Sequence, residues 1–409
     1  MGIGHSPRIV TDGLVFAMDG SNSHKSWKGK PTTNLITSPE ISTTGWSLSG
    51  TNDGTTINTS WTVMADRTGP FLRGMSEVIA DRSNTWPFIR SPQFTTGSGT
   101  FTWSGEYRMQ SMSSITSIAG FRASAVANDY GTSGLQTHNL SYTEAGEGWK
   151  SFSLTRTLNS GTTYSLGGNP QTYRPSWEWY SGGMNTTGER WVVDFRKLQV
   201  EENSFATPFV DGTRSNTQAI KDLTGQNTVT VQSMTYNSDG TFEFDGSSDN
   251  FIIPTIDFST AQTVEIWMKP TESDGSRRNP YNQAYGGFGT WTHEPNGDIN
   301  AYFGTAGGNA QPYVNRNSGS DGKVLQNETA CMCFTRDTST TAWYKNGIQV
   351  ATGSNPYGTL PATSANITIG DGYATAFKGS IFAVKLYDRA LSAEEVKQNF
   401  NALRGRHGI

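Results

Sequence analysis

The sequence predicts an all-β protein built from antiparallel β-sandwiches, with a short C-terminal α-helix. The 409 residues include 46 glycines and 11% aromatic residues, a balance typical of short strands that are joined by tight turns and pack around large side chains. Short alternations of apolar and polar residues recur along most of the chain, separated by Gly, Asn, Asp and Ser. A helical pattern with start signals follows only near the end, after Arg389.

The last stretch, 377–409, predicts a strand followed by a capped helix. Apolar residues alternate over 381–387, as in a strand with two distinct faces. Ser392 and Glu395 have the spacing of a capping box, and Leu391 and Val396 the spacing of a hydrophobic staple. The apolar stripe of this helix consists of Val396, Phe400 and Leu403. Such a short helix needs a docking surface, so we expect it to close a β domain, with the basic end of the chain beyond it.

Other segments give the remaining strands. Alternation over 8–18 predicts an opening strand, and strands such as WKSFSLTRTL and RWVVDFRKLQVEE follow through 34–203. From about 217 a second series begins, in which TVEIWMKP and CMCFTRD are strands. Asn346–Gly347 between two apolar runs predicts a type I′ hairpin turn. Cys331 and Cys333 would share one strand face, where buried free thiols are favoured over a disulfide.

Charge and hydropathy exclude several classes of function. A net charge of −4 and a pI near 5.8 argue against a nucleic-acid-binding protein, which normally has a basic face. Because no run of about 18 apolar residues occurs, we expect no membrane-spanning helix. The first residues lack the basic and apolar regions of a secretory signal. Together with the scarcity of cysteine, this predicts assembly in a cytoplasm.

Five segments in order, FDGSSDNFIIP, TVEIWMKP, FTRDTSTTAWYKNGIQV, ITIGDGY and KGSIFAVKLYDRALSAEEVKQNFNAL, resemble a concanavalin A-like or laminin-G-like jelly roll over about 217–403. The closing form RALSAEEVKQNFNALRGRHGI and the opening SPRIVTDGLVFAMDGSNSHKSW are similar to laminin-G-like domains in structural proteins of tailed bacteriophages. The resemblance implies that the opening strand belongs to the same jelly roll as the closing strand.

The resemblance also implies an insertion. In such relatives a segment like DLTGQNTVTV follows the opening strand within a few residues, whereas here Asp222 lies some two hundred residues later. We therefore expect a discontinuous jelly roll at 1–33 and 214–409, interrupted by an inserted domain at 34–213. The features NLI, GWSLSG and WVVDFRKLQVEENSFATPFVDGTRS of the insertion resemble a carbohydrate-binding module of the galactose-binding-like jelly-roll type. The fold prediction is then two jelly-roll sandwiches, one inserted in the other.

Two aromatic groups are candidate carbohydrate-binding sites, since exposed rings provide stacking surfaces for sugars. In SWEWY, Trp177 and Trp179 share one strand face and Tyr180 takes the other, so at most one of these sets can be a platform while the other packs in a core. In the Gly-rich segment that follows Pro280, the candidates are Tyr285, Trp291 and Tyr302. Packing inside the sandwich is the alternative for both groups.

Metal and catalytic signals are weak. Asp194 in WVVDF matches a position near a structural calcium in some carbohydrate-binding modules, but calcium needs six to eight oxygen ligands. Glu243 and Asp245 are two residues apart, yet no third acid is in register with them, and a solvated turn explains them equally well. The histidines are scattered, and neither a nucleophile elbow nor a phosphate loop is present. We expect no catalytic site and no cofactor other than a structural calcium.

These observations favour a non-enzymatic bacteriophage virion structural protein, as a capsid decoration, a neck protein or a tail-associated appendage. Its partners would be other virion proteins, host surface glycans and further copies of itself, since exposed edge strands favour homo-oligomers. Its location would be the virion, assembled in the host cytoplasm. The alternative is a secreted polysaccharide-active enzyme or its carbohydrate-binding module, which a signal peptide and a complete acid pair would support.

Overall fold

The structure is a computed structural model of the 409-residue chain. It describes the residues in the ranges 8–20, 26–38, 40–49, 57–81, 88–91, 99–113, 117–124, 137–141, 145–158, 164–166, 169–171, 176–180, 184–236, 241–272 and 274–409. In some strands of the first half of the chain, among them 117–124, 137–141 and 176–180, the description covers the backbone and not the side chains.

The described residues form 30 strands, one α-helix and short turns, which confirms the predicted fold class. Up to Arg214 the strands are β1 Leu14–Asp19, β2 Thr32–Thr33, β3 Ser47–Ser49, β4 Ile57–Asp66, β5 Gly69–Val78, β6 Phe88–Arg90, β7 Gly99–Ser113, β8 Ser117–Ser124, β9 Thr137–Ser141, β10 Lys150–Leu158, β11 Tyr164–Leu166, β12 Asn169–Gln171, β13 Ser176–Tyr180, β14 Arg190–Glu201 and β15 Thr213–Arg214. After Arg214 they are β16 Thr230–Gln232, β17 Thr235–Tyr236, β18 Phe242–Asp245, β19 Asn250–Ile253, β20 Gln262–Pro270, β21 Arg278–Gln283, β22 Gly289–His293, β23 Ile299–Gly304, β24 Tyr313–Asn317, β25 Ala330–Arg336, β26 Thr340–Lys345, β27 Ile348–Ser354, β28 Ile367–Ile369, β29 Thr375–Ala376 and β30 Lys378–Tyr387. The helix α1 spans Ala393–His407.

The chain divides into two compact units. Unit 1 comprises Met1–Pro31 and Ser215–Ile409, and unit 2 comprises Thr32–Arg214. Unit 1 is thus formed by both ends of the chain, and unit 2 is formed by one continuous stretch between them.

Unit 1 is a sandwich of two eight-stranded sheets. We call the first sheet the helix sheet, because helix α1 packs on it; its order is β17-β18-β30-β20-β25-β26-β27, with β1 also paired to β30. We call the second the tyrosine sheet, because several tyrosines lie on its outer face; its order is β16-β19-β28-β21-β22-β23-β24, with β29 also paired to β21. Alternation directs Val264, Ile266 and Met268 of β20 into the space between the sheets, where all three are fully buried.

The two ends of the chain meet in the helix sheet. Strand β1 pairs antiparallel with β30, and Met18 lies opposite Val384, which confirms that the opening and closing strands share a sheet. Asp222 lies beside β1, where its Oδ1 accepts a hydrogen bond of 3.0 Å from the N–H of Ala17. Asn227 donates a 2.8 Å hydrogen bond from Nδ2 to the Val15 carbonyl. The DLTGQN segment therefore fixes the opening strand in place, although about two hundred residues separate them in sequence.

Helix α1 covers the outer face of the helix sheet. The predicted capping box is present, with Ser392 accepting from the N–H of Glu395 and the Glu395 side chain accepting from the N–H of Ser392. Phe400 stacks on Trp267 with ring centroids 5.5 Å apart. The basic end of the chain is part of this packing, because Arg406 pairs with Asp19 and His407 lies on the Trp267 ring. The helix is thus held along its whole length.

A polar network lies buried under this helix. Lys385 pairs with Glu265, and both are almost completely buried. Asn399 of the helix donates a 3.0 Å hydrogen bond to Glu265 and a 2.8 Å hydrogen bond to the Tyr387 hydroxyl. Asn399 also accepts a 2.8 Å hydrogen bond from the N–H of Val10. The network joins the sheet, the helix and the N-terminal segment.

Unit 2 is a sandwich of two five-stranded sheets, in the orders β10-β7-β14-β5-β4 and β3-β6-β13-β8-β9. Its core contains Trp103, Trp191 and Phe195, all fully buried. Asn34 connects the start of the unit to its last long strand, because its Nδ2 donates to the Leu198 carbonyl at 3.1 Å and its Oδ1 accepts from the N–H of Val200 at 3.0 Å. Asn34 thus connects the entry segment of unit 2 to strand β14.

Candidate functional site

The outer face of the tyrosine sheet is polar. Because successive residues of a strand point to opposite faces, the strands that send Tyr281, Trp291 and Ala301 into the core present their other residues outward. A row of neighbouring residues in register crosses the sheet on this outer side and contains Thr368, Asn282, Thr290, Tyr302 and Asn315. Thr290 is buried and donates a 2.5 Å hydrogen bond to Asn282. Thr368, Asn282 and Asn315 are partly or fully exposed, and their hydroxyl and amide groups can form hydrogen bonds with a polyhydroxylated ligand.

Four tyrosine rings gather on this face, which we call the tyrosine patch: Tyr285, Tyr302, Tyr313 and Tyr373. The centroids of Tyr285 and Tyr373 are 4.8 Å apart, and those of Tyr285 and Tyr313 are 5.3 Å apart. Tyr302 lies under the patch, with its centroid 5.7 Å from Tyr313, and is only 8% exposed, whereas Tyr373 is 40% exposed. The patch therefore has a buried base and partly exposed rings above it.

One arginine is fixed within the patch. Arg277 pairs with Glu294 at 2.9 Å and donates a 3.1 Å hydrogen bond from Nη1 to the Tyr373 hydroxyl, and its guanidinium lies 5.9 Å from the Tyr302 centroid. Glu294 is held in turn by a 2.7 Å hydrogen bond from Thr292 and a 2.8 Å hydrogen bond from Asn300. The carboxylate thus orients the guanidinium, whose side chain remains 44% exposed.

Burial and hydrogen bonding set the charge states in the patch. Partial burial lowers the pKa of Arg277, but its hydrogen bonds to Glu294 and Tyr373 outweigh burial and raise the pKa above the usual value. Burial raises the pKa of Tyr302, so this hydroxyl stays protonated at neutral pH. At neutral pH the patch therefore contains the charged Arg277 guanidinium beside the protonated Tyr302 hydroxyl.

The backbone around the patch is held in an unusual conformation. Ala284 has φ of 70°, which is a left-handed conformation that costs a non-glycine residue about 1 kcal/mol. The adjacent loop supports it, because the N–H of Tyr285 donates to Asn309 at 3.1 Å and the N–H of Gly286 donates to the Gly308 carbonyl at 3.0 Å. A Cβ at Gly286 would approach the Ala310 carbonyl to 2.0 Å, so this close contact of two loops requires glycine.

Two of the predicted residues of the Gly-rich segment, Tyr285 and Tyr302, lie in the patch, and the third does not. Trp291 is 1% exposed and packs in the core, with its ring centroid 4.7 Å from that of Trp343. This corrects the assignment of Trp291 to a sugar-stacking surface. In GTWTH the two threonines flank the tryptophan, so strict alternation with polar residues outward already places the ring inward.

The second predicted aromatic group belongs to unit 2. Trp177, Trp179 and Tyr180 lie on β13, which pairs with β6 and β8. Their side chains lie outside the part of the chain that the structure describes. Their role as a sugar platform stays a prediction.

Asp194 has surroundings that correct its prediction as a calcium ligand. Its side chain is fully buried, and it accepts hydrogen bonds from Arg73 at 2.7 and 2.9 Å, from Arg108 at 2.9 Å and from Gln110 at 2.7 Å. Two guanidinium groups thus occupy the positions around its oxygens and would repel a cation. Elsewhere in the described ranges, no group of three or more His, Cys, Asp and Glu side chains could hold a metal ion.

The other acidic pair is explained by a turn. Asp245 accepts hydrogen bonds from the N–H groups of Ser247 at 2.8 Å and Ser248 at 2.9 Å, and these bonds lower its pKa. Glu243 lies on the same face of β18 as Asp245 and is also exposed. Asp245 therefore closes the Asp–Gly turn that follows β18.

Three residues of the patch were not predicted from the sequence: Arg277, Tyr313 and Tyr373. Tyr313 could have been found from alternation, since it opens the short polar strand YVNRN. Arg277 and Tyr373 lie in loops, and only the tertiary structure brings them to Tyr302.

In the described part of the chain, no helix has the length and apolar character that crossing a membrane would require.

Comparison with known proteins shows a similarity between part of unit 1 and one superfamily. Residues 244–397 match the laminin-G family model described as the concanavalin A-like lectin/glucanases superfamily. No curated protein matches the sequence. Similar solved structures include the binding domain of Paraclostridial Mosquitocidal Protein 1, at 16% identity over 45% of this chain and 49% of that chain with a TM-score of 0.37. Another is the receptor binding domain of botulinum neurotoxin C/D mosaic serotype, at 13% identity over 46% of this chain and 49% of that chain with a TM-score of 0.36.

A third is domain 4 of AbnA, a GH43 extracellular arabinanase from Geobacillus stearothermophilus, in complex with arabinotriose, at 18% identity over 44% of this chain and 91% of that chain with a TM-score of 0.36. The match spans about half the length of the toxin binding domains. The family match and the two packed antiparallel sheets agree on one conclusion. Residues 244–397 of unit 1 are similar to the concanavalin A-like lectin/glucanases superfamily, and they form most of a sandwich of two antiparallel sheets.

Proposed function

We propose that this protein is a non-enzymatic structural protein of a tailed-bacteriophage virion and that it binds a host surface glycan through the tyrosine patch. The observation that carries the binding proposal is the combination of partly exposed rings with a fixed guanidinium above a row of Thr and Asn side chains. The rings offer stacking surfaces to the C–H faces of a sugar, and the polar groups offer hydrogen bonds to its hydroxyls.

The same geometry favours binding over hydrolysis. A glycosidase normally needs two carboxyl groups on either side of the bond that it cleaves. Glu294 in the patch is engaged by Arg277, Thr292 and Asn300, and a carboxylate in such a set of donors is neither a good proton donor nor a free nucleophile. The virion role, as capsid decoration, neck protein or tail-associated appendage, is supported by the resemblance of the opening and closing segments to phage laminin-G-like domains.

A glycan array with the purified full chain tests the binding proposal, with variants Tyr373→Ala and Arg277→Ala. Loss of one aromatic contact costs about 0.5–1.5 kcal/mol, so we expect Tyr373→Ala to weaken binding about tenfold. Phe205→Ala is the matched control, because Phe205 is also 40% exposed but lies in unit 2. Binding that is equal in Tyr373→Ala and the wild type would refute the role of the patch, as would the absence of binding to any glycan.

Two further measurements separate the rival functions. Release of reducing sugar from a bound polysaccharide would support a polysaccharide-active enzyme instead, and we expect none. Antibody labelling of purified phage particles should mark the head, neck or tail of the virion. Particles without label would contradict the virion role, and this result is independent of whether the patch binds a glycan. Repeating the array with a calcium chelator tests the structural calcium that the sequence resemblance implies.

A further inference from the structure

The exposed cation of the tyrosine patch has a counter-ion within the patch itself. The Arg277 side chain is 44% exposed, and a carboxylate oxygen of Glu294, which is only 15% exposed, lies 2.9 Å from its Nε. The guanidinium also donates a 3.1 Å hydrogen bond from Nη1 to the Tyr373 hydroxyl. Two nitrogens of the guanidinium therefore face groups of this chain, and the positive charge that a ligand would meet is already paired.

Glu294 is held in this position by the strands beneath it. Its Oε1 accepts hydrogen bonds of 2.7 Å from the Thr292 hydroxyl and 2.8 Å from the Asn300 amide. Both donors are buried and lie opposite each other on β22 and β23. Its Oε2 accepts a 3.0 Å hydrogen bond from Arg277. The carboxylate cannot turn away without losing these bonds, so a ligand meets Glu294 and Arg277 as a fixed pair.

The two charges act with opposite sign on the base of the patch. Burial is the main reason why the pKa of the Tyr302 hydroxyl is raised, and of the pair Arg277 lowers this pKa while Glu294 raises it. A ligand carboxylate above Tyr302 would likewise be attracted by Arg277 and repelled by Glu294 at similar distances. The hydroxyls of a neutral sugar are not subject to this opposition, because they need only hydrogen-bond partners.

We propose that the tyrosine patch selects neutral sugars and that Glu294 sets this selectivity. The inference rests on the glycan binding proposed above and adds the chemical class of the glycan. A sugar that carries a carboxylate, such as a uronic acid, would lose hydration of its charge and gain little from a guanidinium that is already neutralised. Glu294 thus keeps Arg277 oriented as a hydrogen-bond donor and prevents it from acting as an anion-binding site.

An array that presents each acidic polysaccharide beside its carboxyl-reduced, neutral form tests this selectivity with the full chain. We expect the wild type to bind the neutral forms at least about tenfold more tightly than the acidic forms. Glu294→Gln removes the negative charge from a side chain of nearly the same size. It should therefore tighten binding to the acidic forms about tenfold, because the guanidinium is no longer compensated.

Glu328→Gln is the matched control for the loss of one negative charge. It breaks the 2.6 Å ion pair with Lys345, which ends strand β26 of the helix sheet, and should leave the preference unchanged. Salt gives a second readout, since exposed charges are screened at high ionic strength. Binding of neutral glycans by the wild type should be nearly constant between about 50 and 500 mM NaCl, whereas binding of acidic glycans by Glu294→Gln should weaken.

The possible results separate this inference from the glycan-binding proposal. Wild-type binding that disappears on carboxyl reduction would overturn the selectivity for neutral sugars and leave glycan binding intact. An unchanged preference in Glu294→Gln, shown to be folded by circular dichroism, would overturn the role of Glu294. The wild-type comparison does not depend on the folding of any variant. Binding to no glycan in either form would refute the proposed function and this inference with it.

Discussion

The two outer faces of unit 1 differ although they belong to one sandwich. On the helix sheet, the outward residues of neighbouring strands include Trp267, Cys331 and Ala383, which pack under helix α1. On the tyrosine sheet, the outward residues are threonines, asparagines and tyrosines. An apolar outer face must be covered by the chain itself, whereas a polar face with partly exposed rings is stable in water. On the tyrosine sheet Thr290 and Tyr302 are buried and Tyr373 stays exposed, so the accessible part is the upper side of the tyrosine patch. The difference separates a face that the helix covers from the face on which we propose that a glycan binds.

We expect the largest loss of stability when the buried Glu265–Lys385 ion pair, under helix α1, is broken. Glu265→Ala would leave Lys385 buried without its partner, which costs about 3–5 kcal/mol of unfolding free energy. Chemical denaturation of the variant measures this loss. The double variant Glu265→Leu/Lys385→Met should recover only part of the stability, because it removes the uncompensated charge but leaves the Asn399 amide and the Trp267 N–H without their acceptor. An equal loss in Glu243→Ala, at an exposed position of β18, would contradict the assignment to burial.

The cap of the covering helix should matter less. Ser392→Ala removes the acceptor for the N–H of Glu395, and loss of such a cap costs about 0.5–2 kcal/mol. Ser392→Asp keeps an acceptor at the same position and should retain most of the stability. Thermal unfolding followed by circular dichroism distinguishes the two. Equal midpoints for Ser392→Ala and Ser392→Asp would mean that packing alone holds the helix.

The sequence was sufficient to predict the strand and the capped helix that form the outer side of the helix sheet. It was insufficient to predict the tyrosine patch, for a physical reason. The capping box, the staple and the alternation of β30 are local patterns, and each is present in the structure. The tyrosine patch depends on Arg277 and Tyr373, which come from loops about a hundred residues apart. Trp291 differs from these two residues, since the alternation of GTWTH places its ring inward and the sequence could therefore have predicted its burial.

The same limit applies to Asp194 in unit 2. The motif WVVDF places a carboxylate on a strand, but its partners Arg73 and Arg108 come from the two neighbouring strands. Their cationic groups change the site from one that could bind calcium to one that is already neutralised. The charges that surround a strand residue depend on which residues of the neighbouring strands lie opposite it. Local sequence patterns do not predict that pairing when the strands are far apart in the chain.

Acid should weaken the helix face through His407. Burial against Trp267 lowers the pKa of His407 to about 4 from its usual 6.5, and the positive charges of Lys385 and Arg406 act in the same direction while Asp19 and Glu265 oppose them. Because the unfolded chain binds the proton more readily, this contribution to stability is complete above pH 6.5 and is lost as the pH falls toward 4. His407→Gln should flatten this part of the pH profile of unfolding free energy. A profile that is unchanged in this variant would assign the acid sensitivity to other groups.

The smallest effect on stability should come from the tyrosine face. Tyr373 is 40% exposed and contacts Tyr285 and Tyr302 from above, so Tyr373→Ala should change the unfolding free energy by less than about 1 kcal/mol. Chemical denaturation of Tyr373→Ala and Glu265→Ala under the same conditions tests this comparison directly. Both residues lie on an outer face of the same sandwich. A loss of several kcal/mol would mean that the rings act as a cover equivalent to helix α1. With the expected small loss, weaker glycan binding by Tyr373→Ala could not be explained by unfolding, because the patch would be dispensable for the fold.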